Sequence, residues 1–253
     1  MIDGFDAVTV ATVAAIFVLA GGVKGVIGLG LPTVSLGLLT ATQDLTTAMA
    51  LMVAPSFVTN LWQGAVGGHA SWLIAKIWPF LLVATVVIWF GAQALVQVEL
   101  AYLSALLGLL LIAYAGISLL GFRLSIRAPH HTWSGIAFGA VNGVLTGMTG
   151  SFVVPGVMYL QAIGLTRDQL VQAMGMLFTV STVGVAIALD QNSLYTSKMW
   201  QLSALGVVPA IIGMVIGQQV RKRISEQRFR QVFFTAILLL GTYIISTALF
   251  FSS

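Results

Sequence analysis

Residues 21–32 read GGVKGVIGLGLP, and the reading of the chain turns on that stretch. It holds too much Gly and Pro to be ordinary helix interior. Its flanks are too apolar to belong to an aqueous loop. It also carries a cation, Lys24, where lipid is expected. A second stretch of the same kind follows at residues 139–155, GAVNGVLTGMTGSFVVP. Two broken helices at corresponding places in two halves of a chain mark a binding site buried in a membrane.

The composition agrees. The chain has 253 residues, 58% hydrophobic and 7% charged, with a mean hydropathy of +1.02. A soluble domain carries about 25% charged residues, so the surrounding solvent is mostly lipid. Crossing a bilayer core of about 30 Å takes roughly 20 apolar residues per helix, and several such runs are present. They are continuous rather than alternating, which excludes a transmembrane β-barrel. With no cysteine, disulfides and thiolate metal sites are excluded. The histidines, His69, His130 and His131, all fall outside the apolar runs, so neither a metal nor another cofactor is expected. The net charge of +4 does not point to nucleic acid, because the basic residues are confined to short loops, as topology signals are. The opening MIDGFDAVTV is acidic and lacks a basic n-region, so it reads as the start of the first helix and not as a cleavable signal peptide.

An all-α, polytopic membrane fold follows. Five apolar elements fill the first half, at residues 6–27, 31–42, 45–66, 71–96 and 100–121. A polar linker, FRLSIRAPHHTW, spans residues 122–133. Five more elements lie at 134–147, 151–164, 168–189, 198–220 and 229–251. The chain divides into a first repeat, 1–122, a linker, 123–133, and a second repeat, 134–253. Gly21, Gly25 and Gly28 align with Gly139, Gly143 and Gly147 if one residue is inserted. Ala48-Met49-Ala50 aligns with Ala173-Met174-Gly175.

Basic residues set the orientation. Arg123 and Arg127 lie in the linker, and Arg221, Lys222, Arg223, Arg228 and Arg230 lie before or at the start of the last element; both regions should be cytoplasmic. The matching loop of the first half, near residues 97–100, has no Lys or Arg and carries Glu99, so it should face outward. The repeats are therefore inverted. Lys76 and Arg167 come out cytoplasmic, Lys198 outside, and both termini extracytoplasmic, in keeping with Asp3 and Asp6. Inversion needs an odd number of crossings per half. The first two elements of each half must then enter and leave on one side. In the second half each is only about 14 residues, roughly 21 Å long. Broken or re-entrant hairpins are expected, with tips near the midplane at residues 24–32 and 142–151. Such backbone survives in a membrane only inside protein or beside a watered cavity.

A tip of this kind exposes backbone N–H donors at the start of its second helix, and these favour an anion. The candidate substrate-binding residues are Lys24, Gly28, Gly30, Thr33 and Ser35 in the first hairpin. In the second they are Asn142, Thr146, Gly147, Thr149, Gly150 and Ser151. Neither tip holds an acidic residue, so a cationic substrate is disfavoured. In the third elements Ser56, Asn60 and Gln63 share a helical face, beside Thr59. Gln172, Thr179, Ser181 and Thr182 are their counterparts, and interhelical hydrogen bonding explains these positions equally well. Of this group Asn60 and Gln63 are added to the candidate site. Lys24 either faces substrate or snorkels to the cytoplasmic interface. Gly21, Gly22 and Gly139 read as helix-packing positions. The tryptophans fall mostly near the predicted interfaces, as an aromatic belt does. Arg167-Asp168 reads as a helix start and surface pair. No nucleophile–base pair, nucleotide loop or metal spacing occurs, so an enzyme is not expected.

The two stretches GGVKGVIGLGLPTVSLGLL and GAVNGVLTGMTGSFVVPGVMYLQAIGL, set either side of a basic linker, resemble the sulfite exporter TauE/SafE family, also called the toluene sulfonate uptake permease superfamily. The resemblance covers nearly the whole chain. It implies a multi-spanning inner-membrane protein that carries sulfite, sulfoacetate or a related sulfonate. The two repeats are expected to gate against each other around a midplane site, giving alternating access. The resemblance also implies no ATP-hydrolysing domain, and so coupling to an ion or proton gradient. The implied partners are a small sulfur-containing anion and membrane lipid. The residues themselves leave open an anion channel and a carboxylate carrier.

Overall fold

The structure is a computed structural model that describes residues 6–122 and 124–250. Asp3 and Arg123, used above for orientation, lie outside the described residues. The described chain is helical, in ten elements.

The first half runs α1 (Ala7–Ile27), α2 (Leu31–Thr42), α3 (Leu45–Ala65), α4 (Ala70–Gln97) and α5 (Leu100–Leu120). The second runs α6 (His131–Thr149), α7 (Gly156–Ala162), α8 (Arg167–Gln191), α9 (Ser197–Arg221) and α10 (Glu226–Phe250). Local chemistry sets the boundaries. Asp6 starts α1 by accepting the Thr9 N–H at 3.1 Å. Asp44 starts α3 by accepting the Thr47 N–H at 2.9 Å. Thr166 and Gln169 form a capping box at the start of α8, which leaves Arg167 and Asp168 in its first turn. Seven helices are long and apolar enough to cross a membrane: α1, α3, α4, α5, α8, α9 and α10.

The third element of each half is central. The apolar window of α3 is 72% buried and that of α8 56%, against 28% for α4 and α9, so the latter present their faces to lipid. Packing between the halves follows a crossed pattern. The first helix of each half lies along the fourth helix of the other, α1 on α9 and α6 on α4. The third helices pair with each other, and so do the fifth. The α1–α9 and α6–α4 contacts are backbone on backbone. A Cβ on Gly21 would meet the Ala210 carbonyl oxygen at 2.1 Å, and one on Gly25 the Met214 oxygen at 2.2 Å. On α6, Gly139 and Gly143 stand in the same relation to the Phe80 and Ala84 oxygens, at 2.8 and 2.6 Å. These are small-residue interfaces of the membrane type.

The hairpin breaks fall at residues 28–30 and 150–155, where Gly and Pro were expected to interrupt the helices. The legs differ from the expected lengths. In place of two legs of similar size, the second hairpin has a 19-residue α6 and a 7-residue α7. The helix starts earlier because a 3₁₀ turn at Ala128–His130 leads straight into it, and His131 Nε2 lies 3.0 Å from the Ile126 carbonyl oxygen. The return leg is shorter because residues 151–155 stay non-helical. The repeat register also differs at this point. Gly28 and Gly150 are the matching C-caps, with φ of +78° and +73°. Their N–H groups return to the carbonyls of Lys24 (2.8 Å) and Thr146 (2.7 Å). Because Gly143 aligns with Gly25 in the packing, α6 continues one turn beyond the point where α1 stops. Gly147 lies in that extra turn.

Candidate anion site

Lys24 lies in the last turn of α1 and is 4% exposed. Its ammonium is buried instead of extending to the protein surface. It turns toward α3 and donates to Asn60 Oδ1 and, at 3.2 Å, to Thr59 Oγ1. Both acceptors are neutral, and among the described residues no carboxylate pairs with it. A buried charge normally demands a counter-charge.

The α3 backbone presents those acceptors through a proline. Pro55 sits inside the helix and cannot donate to the Leu51 carbonyl. The Ser203 hydroxyl of α9 donates to that carbonyl at 2.8 Å and accepts the Ala54 N–H at 3.0 Å. Thr59 Oγ1 in turn donates to the Pro55 carbonyl at 2.8 Å. The ammonium of Lys24 thus meets a helix segment whose irregular backbone is satisfied from a neighbouring helix, as the membrane interior requires.

Lys24 lines a cavity of about 600 Å³, together with Gly28, Thr59, Trp62, Gln63, Gln218, Arg221 and Lys222. Three cations therefore border one space, and among the described residues no acidic side chain lines it. Trp62, 68% exposed, and Arg221 and Lys222, both exposed, mark the open end. The floor is tied across the two halves. Gln63 Nε2 donates to the Val171 carbonyl at 2.7 Å, and Gln172 Nε2 donates to the Gly64 carbonyl at 3.0 Å. Gln172 Oε1 accepts the His69 N–H at 3.1 Å.

The structure gathers Lys24, Gly28 and Gln63 around this space, and Asn60 stands behind Lys24 as its acceptor. Gly30, φ +105°, instead makes the sharp entry to α2, close to Val23 and Phe233 side chains. Thr33 is buried in the first turn of α2, and Ser35 returns its hydroxyl to the Leu31 carbonyl at 2.7 Å. In the second hairpin the candidates hydrogen-bond to one another. Asn142 Oδ1 accepts the Gly156 N–H at 2.9 Å and so caps α7. Thr146 Oγ1 donates to the Ser151 carbonyl at 2.9 Å, and the Ser151 N–H donates to Thr149 Oγ1 at 3.2 Å. Gly147 packs on α4, where a Cβ would meet the Ile88 oxygen at 2.2 Å. Gly150 packs against Met49 and Leu36. The sequence reading missed Gln218, Arg221 and Lys222 as neighbours of Lys24. It also missed Ser203 as the partner of the proline kink. No local pattern pointed to the first three; the packing of α1 on α9 lays the basic end of α9 beside Lys24.

Among the described residues no group of three His, Asp or Glu side chains is placed to hold a metal ion. No curated protein and no solved structure matches the chain. The family model described as sulfite exporter TauE/SafE matches residues 13–244. A polytopic helical protein fits a family of membrane transporters, and the chain belongs to the sulfite exporter TauE/SafE family.

Proposed function

We propose that this chain is a secondary transporter that carries a small sulfur oxyanion, sulfite or a sulfonate of similar size, out of a bacterial cell across the inner membrane. The observation that carries the reading is the Lys24 ammonium. It is buried, bonded only to neutral acceptors, and set in the wall of a cavity that two more cations border. An anion is the partner this arrangement lacks.

The halves 1–122 and 134–253 act as inverted repeats in this reading. The crossed pairing of α1 with α9 and α6 with α4 supports it, as does the meeting of the C-terminal end of α3 with the N-terminal turns of α8. The positive-inside rule puts Arg127, Lys76, Arg167 and the loop from Arg221 to Arg230 in the cytoplasm and both termini outside. The cavity then opens to the cytoplasm, where an exporter takes up its cargo. Rocking of the repeats closes that mouth and opens the opposite one. Coupling to an ion or proton gradient supplies the driving force.

The test is flux of ³⁵S-labelled sulfite through proteoliposomes loaded with the purified protein. A carrier gives flux that saturates with sulfite and is competed by sulfoacetate more strongly than by acetate. Flux that rises linearly with sulfite, or single-channel currents, would replace the carrier with a channel. Stronger competition by acetate would make the cargo a carboxylate.

A further inference from the structure

We propose that a second anion station lies deeper than Lys24, between α3 and α8, with Ser56 Oγ, Asn60 Nδ2 and Ser181 Oγ as its donors. It rests on the anion-carrier reading and goes beyond it by naming where the anion moves next.

All three atoms are buried without a hydrogen-bond partner, and their residues are 0% exposed. Leaving such groups unpaired is costly. Their neighbours avoid that cost by bonding back to a carbonyl one turn earlier. Thr59 does so to Pro55, Thr179 to Gly175 and Thr182 to Phe178. Ser56 and Ser181 do not. The orientation of Asn60 is fixed by Lys24, because an ammonium only donates and so demands the amide oxygen. That leaves Nδ2 turned elsewhere with nothing to bind. Thr40 and Tyr195 also carry unpartnered hydroxyls, but those residues are partly exposed.

The three donors lie at neighbouring depths in the paired third helices. Asn60 and Ser56 are four residues apart on one face of α3, about 6 Å in depth. Aligning Ala48-Met49-Ala50 with Ala173-Met174-Gly175 makes Ser181 the repeat partner of Ser56. Gly64 packs against Gly175 where the two helices meet end to start. Counting back along antiparallel helices from that contact sets Ser56 level with Val183 and Ser181 level with Val58. The two serines then lie within about 3 Å of the same depth. One comes from each half. An amide N–H₂ and two hydroxyls with no carboxylate form a donor set for an oxyanion with several acceptor oxygens. The shared Asn60 links the stations, its oxygen on Lys24 and its nitrogen on the deeper side.

The test compares ³⁵S-sulfite uptake by proteoliposomes containing wild-type protein, the double variant Ser56→Ala/Ser181→Ala, and Lys24→Met. The expected result for the double variant is a fall in saturable uptake of at least about tenfold, the loss of two hydrogen bonds to a charged ligand. Its thermal unfolding temperature without anion should be unchanged or higher, because the deleted hydroxyls have no partner in the protein. Wild-type uptake in the double variant, with uptake lost in Lys24→Met, would overturn the deeper station and leave the cavity reading standing. The reverse pattern would support the station and overturn the role of Lys24. No saturable uptake by the wild type would overturn both. If the double variant loses its fold, Ser181→Ala alone, read the same way, decides the matter.

Discussion

The Ser203 hydroxyl donates to the Leu51 carbonyl at 2.8 Å, and Leu51 stands one turn before Pro55, the residue that leaves that carbonyl without its helical partner. A side chain of α9 thereby completes the backbone of α3 at a kink, just before the segment that holds Thr59 and Asn60 against Lys24. Ser203→Ala should destabilise the protein by about 1–3 kcal/mol, the cost of a buried group left unpaired. Thermal unfolding in detergent measures it. Ser203→Thr, which keeps the hydroxyl, should restore most of the loss.

The glycine interfaces predict opposite outcomes at adjacent positions. A Cβ at Gly213 would lie 2.0 Å from the Val18 oxygen, whereas at Gly22 the nearest atom, the Gly213 oxygen, is 3.8 Å away. Gly213→Ala should cost about 1–3 kcal/mol by forcing α1 and α9 apart. Gly22→Ala should be tolerated. Gly116→Ala, on α5 with open space around it, should stabilise by about 0.5–1 kcal/mol through helix propensity. Unfolding temperatures of the three variants check the order.

Asn142 holds the second hairpin closed by capping the Gly156 N–H at 2.9 Å. Asn142→Leu should lower stability by about 1–3 kcal/mol. Backbone hydrogen exchange within residues 150–156 should become faster, because α7 loses the only side-chain cap described for its first turn.

Much of the fold was legible in the sequence, and the reasons are particular. Composition required lipid, Gly-Pro breaks required two interrupted hairpins, and the ten apolar runs correspond to the ten helical elements. What escaped depends on contacts across the chain. The length of α6 is set by His131 and Ile126 at one end and by packing on α4 at the other, neither visible as periodicity. Setting Gly21 and Gly25 on Gly139 and Gly143 puts Asn142 at the position of Lys24, and both lie between packing glycines. Their chemistry diverges because α6 runs a turn further and returns α7 onto Asn142, while α1 ends at Gly28 and leaves Lys24 beside a cavity. Gly147 reads in sequence as part of a break, yet it is a contact with α4. Lys24 itself was identified from its charge alone; its partner Asn60 was a candidate from α3, but no local pattern joined the two.

The most direct measurement is the effect of sulfite on the thermal unfolding of purified wild-type protein and of Lys24→Met. The account predicts that sulfite raises the unfolding temperature of the wild type in a saturable way and leaves that of Lys24→Met unchanged. It also predicts that Lys24→Met without anion is at least as stable as the wild type, since an uncompensated buried charge has been replaced by an apolar chain of similar length. An equal sulfite-dependent shift in both proteins would contradict the claim that Lys24 is the counter-charge of the transported anion.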